Sequence, residues 1–97
     1  MQKTFVFQAK VWIWPSESAR WHFVYVDKKL TETLKKQAKK HHMGMIRVEV
    51  LVGETYWKTS LFPNKKENCY ILPLKKQVRE IEDIFDGDSI TIQISLM

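Results

Sequence analysis

Residues 46–61 read Ile46-Arg47-Val48-Glu49-Val50-Leu51-Val52-Gly53-Glu54-Thr55-Tyr56-Trp57-Lys58-Thr59-Ser60-Leu61. Two alternating runs flank Gly53-Glu54, a two-residue connection whose leading glycine suits a type II′ turn. That turn sets the register. Val52 faces Thr55, and counting outward places Val50 against Trp57, Val48 against Thr59 and Ile46 against Leu61 on one apolar face. The opposite face sets Glu49 against Lys58, a favourable cross-strand pair of charges. Turn chemistry, alternation and charge agree on an antiparallel hairpin with one buried face.

Working outward, Thr4 to Trp14 also alternates, with Phe5, Phe7, Ala9, Val11 and Ile13 on one face and Thr4, Val6, Gln8, Lys10, Trp12 and Trp14 on the other. This predicts one long strand. Pro15-Ser16-Glu17-Ser18 supplies turn residues, and Arg20 to Val26 resumes the alternation, so the two runs form a second hairpin. Leu30, Leu34 and Ala38 recur every fourth residue within Asp27 to His42, the narrow apolar stripe of a surface helix. Asp27 or Thr31 caps its start, and Gly44 lies just beyond its basic end. Past the polar loop Pro63-Asn64-Lys65-Lys66, Asn68 to Leu72 reads as a short strand closed by Pro73, which has no N–H for a ladder. Leu74, Val78, Ile81 and Phe85 follow helical spacing up to Asp86-Gly87, and Ile90, Ile92, Ile94 and Leu96 mark a last strand. The order β-β-α-β-β-β-α-β, six half-buried strands and two short helices in one domain spanning residues 1–97, predicts a mainly β protein: a small barrel or pseudobarrel with helices capping its ends.

The 97 residues suffice for one hydrophobic core, and their 44% hydrophobic and 28% charged content is that of a folded chain. A single cysteine, Cys69, forms no internal disulfide and favours a reducing, cytoplasmic setting. No apolar run approaches the roughly 20 residues of a membrane span, and the alternating N-terminus is unlike a secretory signal. The net charge of +5 is uneven. Nine Lys/Arg against three acids over 1–42 give +6, and seven against eight over 43–97 give −1. Such a basic half suits nucleic acid or an acidic protein as partner.

The chemistry-bearing residues are sparse. Cys69 stands in a strand, away from any histidine or helix N-terminus that would activate it. His41 and His42 are adjacent and diverge by about 100° on a helix, so they cannot share an ion as an i, i+4 pair would. The acids Glu80, Glu82, Asp83, Asp86 and Asp88 lack the alternating loop spacing of a calcium site. No metal, cofactor or catalytic residue is assigned. Two candidate binding sets remain. Lys10, Trp12, Trp14, Arg20 and His22 interleave aromatic platforms with positive charge on one outer face, the pattern of a nucleic-acid surface. Trp57, Ser60 and Arg79 lie near a barrel mouth where a small ligand or substrate can sit.

Three segments carry a family likeness: Trp57 to Pro63 (WKTSLFP), Tyr70 to Arg79 (YILPLKKQVR) and Phe85 to Ile90 (FDGDSI). With Trp21-His22-Phe23-Val24 and Gly44 to Val48, they resemble the mostly bacterial domain-of-unknown-function family numbered nineteen-oh-five, nearly end to end. That resemblance implies a six-stranded double-split β-barrel, similar in outline to the swapped-hairpin barrels of bacterial transition-state regulators and antitoxins, which are dimers that bind DNA. It implies no known activity. Taken together, the sequence reads as a non-enzymatic binding or interaction module, monomeric or homodimeric. Nucleic-acid binding and a small-ligand or enzyme site at the barrel mouth stand as alternatives.

Overall fold

A computed structural model of the chain describes residues 3–15, 20–38 and 44–97. In chain order the elements are β1 (Thr4–Lys10), β2 (Trp12–Pro15), β3 (Arg20–Tyr25), α1 (Lys28–Gln37), β4 (Ile46–Val52), β5 (Thr55–Asn64), β6 (Cys69–Pro73), α2 (Lys76–Glu82) and β7 (Ser89–Leu96). All strand pairs are antiparallel, in the order β1-β7-β4-β5-β6-β3-β2. The protein is mainly β with two short helices, as expected, but the described residues form seven strands and not six.

The additional strand comes from a break at Val11. Up to Lys10 the chain pairs with β7, and from Trp12 onward it pairs with β3. Between them, the Val11 N–H donates to Asp88 O (2.8 Å) and the Gly87 N–H donates to Val11 O (2.9 Å). The backbone thus changes partner at one residue while the Val11 side chain stays fully buried. β1 and β2 are therefore the two ends of the strand order yet are joined through Val11, which curls the sheet into a barrel-like shape. β5 performs the same switch, pairing with β4 through Leu61 and with β6 from Phe62 to Asn64. The expected loop at Pro63-Asn64 is accordingly still strand.

The 46–61 hairpin has the predicted register at every position from Val52↔Thr55 to Ile46↔Leu61, Glu49↔Lys58 included. Gly53 takes φ +59°, and Glu54 does not follow it into the left-handed region, as a type II′ turn requires. Val48, Val50, Trp57, Leu61, Ile92 and Ile94 meet inside the curl with Val24, Leu72 and Val78.

Both helices are shorter than the spacing predicts. α1 begins on Asp27, whose carboxylate accepts from the Lys29 N–H (3.3 Å), and it stops at Gln37 with Ala38 extended. Gly44 is therefore not its cap, and the expected continuation through Lys39, Lys40, His41 and His42 lies outside the described residues, as does the Ser16-Glu17-Ser18 turn. Leu34 is fully buried, and α1 is tied to the sheet by Thr31, also fully buried. The Thr31 hydroxyl donates to Val26 O and accepts from the Tyr70 N–H, each at 3.3 Å. α2 ends when Asp83 adopts a left-handed conformation (φ +57°). That turn buries Ile84 and leaves Ile81 and Phe85, expected members of the apolar stripe, in solvent. No helix among the described residues is long and apolar enough to cross a membrane.

Candidate functional site

The first residues of β3, the middle of β5 and the link from β6 into α2 meet around a groove of about 350 Å³. Pro73 ends β6, and the next residue is pinned: the Leu74 N–H donates to His22 O (2.9 Å) and the Leu74 side chain is buried. Arg79, one turn into α2, folds back so that its Nε donates to Leu74 O (3.1 Å). With that donor engaged, the Nη groups remain to meet a ligand. Arg20, Lys58, Lys75, Lys76 and Arg79 line the groove, and among the described residues no carboxylate lines it. Lys58 faces Glu49 across the sheet. Lys76 lies 3.8 Å from Glu80, both side chains largely in water, where such a pair contributes little. Trp57, 7% exposed, belongs to the core and forms part of the wall.

His22 also lines this groove. Its Nδ1 is buried and has no hydrogen-bond partner among the described residues. Burial holds its pKa below the ordinary 6.5, and the nearby Arg79 cation lowers it further, against an opposing pull from Asp86. The imidazole is thus neutral at pH 7. Cys69 is buried with its thiol pushed above its usual 9.0 by burial and then by Glu67.

The two residue sets read from the sequence are redistributed. Trp57 and Arg79 do meet at the groove, but Ser60 does not join them; its hydroxyl accepts from Arg47 Nη1 at 3.1 Å. Lys10, Trp12, Trp14, Arg20 and His22 do not share one outer face. Trp12 pairs with Phe23 and Trp14 with Trp21, whereas His22 pairs with Ile13 on the reverse side of the sheet. Strand alternation separates them. Lys10 places its Nζ 4.6 Å from the centre of the Trp12 ring, a cation–π contact, beside a separate hollow of about 480 Å³ reaching Gln8 and Tyr25. Arg20 and His22 instead join Arg79. Sequence reasoning passed over Trp21, Phe62, Lys58, Lys75 and Lys76. The Lys75-Lys76 pair, just past Pro73-Leu74, was the available signal.

Trp14 and Trp21, each 61% exposed, form with Phe62, Ile71 and Pro73 an aromatic hollow of about 530 Å³ whose wall includes the buried Phe23. It shares Trp21 and Pro73 with the basic groove, so the two are contiguous.

The family model described as "Domain of unknown function (DUF1905)" matches residues 7–94, almost the whole chain. The chain belongs to this family. No curated protein matches it. The segments that carry the likeness to DUF1905 contribute most of the groove: Trp57 to Thr59, Pro73 to Lys76 and Arg79 line it, and Asp86 acts on His22 from beside it.

Proposed function

We propose that this DUF1905 chain is a non-enzymatic binding module that takes a phosphate-bearing anion in the groove between β3, β5 and α2. The observation that carries the reading is the convergence of Arg20, Lys75, Lys76 and Arg79 on one groove that no carboxylate among the described residues lines. Arg79 is pre-oriented by its bond to Leu74 O, which reduces the ordering cost of a forked contact with a phosphate. The two nucleophile types that the sequence offers near this end of the sheet, a thiol and a serine hydroxyl, stand outside the groove and argue for binding and not chemistry. Cys69 is a buried thiol with a raised pKa, and the Ser60 hydroxyl is held by Arg47 away from the groove.

Titration with inorganic pyrophosphate, followed by amide and side-chain NMR shifts, tests this reading. The expected result is saturable shifts at Arg20, His22, Lys75 and Arg79 that weaken as salt rises. Lys75→Glu, a change at an exposed position, weakens them without unfolding the chain. Shifts spread evenly over all surface lysines, or unaffected by Lys75→Glu, count against the groove.

A further inference from the structure

Resting on the reading of the basic groove as a phosphate site, we infer that the ligand is single-stranded nucleic acid, with bases stacked on Trp14, Trp21 and Phe62 while the backbone lies along Arg20, Lys75 and Arg79. The aromatic hollow and the cationic groove share Trp21 and Pro73, so a ligand leaving one enters the other. Trp14 and Trp21 are direct cross-strand partners, which stands two indoles side by side on one face. Neither packs on another ring among the described residues, although each is 61% exposed. Trp12 differs, because Lys10 lies over its ring and Tyr25 packs edge-on at 6.3 Å. Among the described residues no charged side chain lines the aromatic hollow, so it recognises a flat apolar surface while its neighbour recognises negative charge.

Charge complementarity selects among occupants. A second copy docked through the same face by a two-fold axis brings each basic groove toward its own duplicate, an arrangement that repels. A polyanion with π faces meets both surfaces favourably. Duplexes hide those faces within the base stack, whereas single strands offer them.

The test uses the full chain and four probes: an oligothymidylate of about ten nucleotides, within the usual site size, an abasic strand of equal length, a GC-rich duplex and pyrophosphate. The expected result is quenching of tryptophan fluorescence by the oligothymidylate, with affinity at least about fivefold above that for the abasic strand. Trp14→Ala weakens oligothymidylate binding at least about fivefold and leaves pyrophosphate binding unchanged; Trp21→Ala weakens oligothymidylate binding to a similar degree, and Trp21→Phe restores most of the loss. Lys75→Glu weakens both. Equal affinity for the base-bearing and abasic strands, or tighter binding of the duplex, overturns the stacking assignment while the phosphate reading stands. Absence of binding to any probe removes both. A concentration-dependent dimer in sedimentation, dissolved by Trp14→Ala with no change in oligonucleotide affinity, assigns the face to a second copy and overturns the inference.

Discussion

Thr31→Val isolates one hydroxyl that joins α1 to the sheet. The side chain is fully buried, and its oxygen donates to Val26 O and accepts from the Tyr70 N–H. Valine has nearly the same shape and the same branching at Cβ, so helix propensity and packing volume change little. What changes is that the Tyr70 N–H, within the sheet and beneath a helix, loses its acceptor. An orphaned buried donor costs about 1–3 kcal/mol, and the loss of the bond to Val26 O is offset in part by burying a methyl in place of a hydroxyl. The net expectation is a loss of about 2 kcal/mol, which for a domain of this size lowers Tm by about 8–16 °C. Thr31→Ser gives the complementary case. It keeps both hydrogen bonds and deletes one methyl, a loss of about 1 kcal/mol. Urea denaturation followed by the fluorescence of the buried Trp57, with hydrogen exchange of the Tyr70 amide, reads both variants. The expected order is wild type, then Ser, then Val, with faster Tyr70 exchange only in the valine variant. A valine variant as stable as the serine variant refutes the tether.

Three other outcomes follow from the geometry. Gly53→Ala forces a side chain into φ +59° and sets its Cβ against the Glu82 carboxylate, which accepts from Thr55 Oγ1 (2.5 Å) and the Glu54 N–H (3.3 Å). A loss of about 1–2 kcal/mol is expected, falling in a Glu82→Ala background, and a double-mutant cycle in urea with no coupling contradicts the contact. Because the native pKa of His22 is depressed, the unfolded chain binds more protons just below pH 6.5. Stability attributable to His22 therefore falls as pH drops from 6.5 through its native pKa, and it is retained above 6.5. Denaturation midpoints across pH 5–7 in wild type and His22→Gln check the sign; a wild-type slope no steeper than that of the variant is the contrary result. Cys69, buried with a raised pKa, reacts with a disulfide reagent far more slowly in the native protein than in denaturant. Equal rates in the two conditions place the thiol at the surface.

The hairpin over 46–61 was fully legible because every signal it needs is local: the glycine at the turn, the alternation and the Glu49–Lys58 pair all select one register. The break at Val11 was not. Alternation reports which way a side chain faces, and Val11 faces inward whether its backbone pairs with β7 or β3, so a change of partner leaves no trace in the pattern. The end of α2 was misplaced for a related reason. Leu74, Val78, Ile81 and Phe85 keep helical spacing, but Asp83 enters the left-handed region and rotates the following turn, so that Ile84 and not Phe85 is buried. Aspartate adopts that conformation more readily than most residues, yet nothing in its neighbours demands it.

The candidate site was legible only in fragments, because it is assembled from residues 20–22, 57–59, 73–76 and 79, which only the curl of the sheet brings together. Dividing the charge by halves of the chain pointed to the N-terminal half, +6 against −1. In the fold, the half with net charge −1 supplies four of the five groove cations, Lys58, Lys75, Lys76 and Arg79. Some acids of the same half are engaged elsewhere, while Glu49 and Glu80 face Lys58 and Lys76 without joining the groove lining. Glu82 holds the Gly53-Glu54 turn and Asp88 accepts from the Phe85 N–H (2.8 Å). A carboxylate fixed by backbone donors at another place on the molecule cannot neutralise a lysine pair across a groove, since exposed charges separated by more than about 10 Å are largely screened. The potential a ligand meets is thus set by which charges share a surface, and Lys75→Glu, which changes the total by two units, leaves four cations and one carboxylate lining this one.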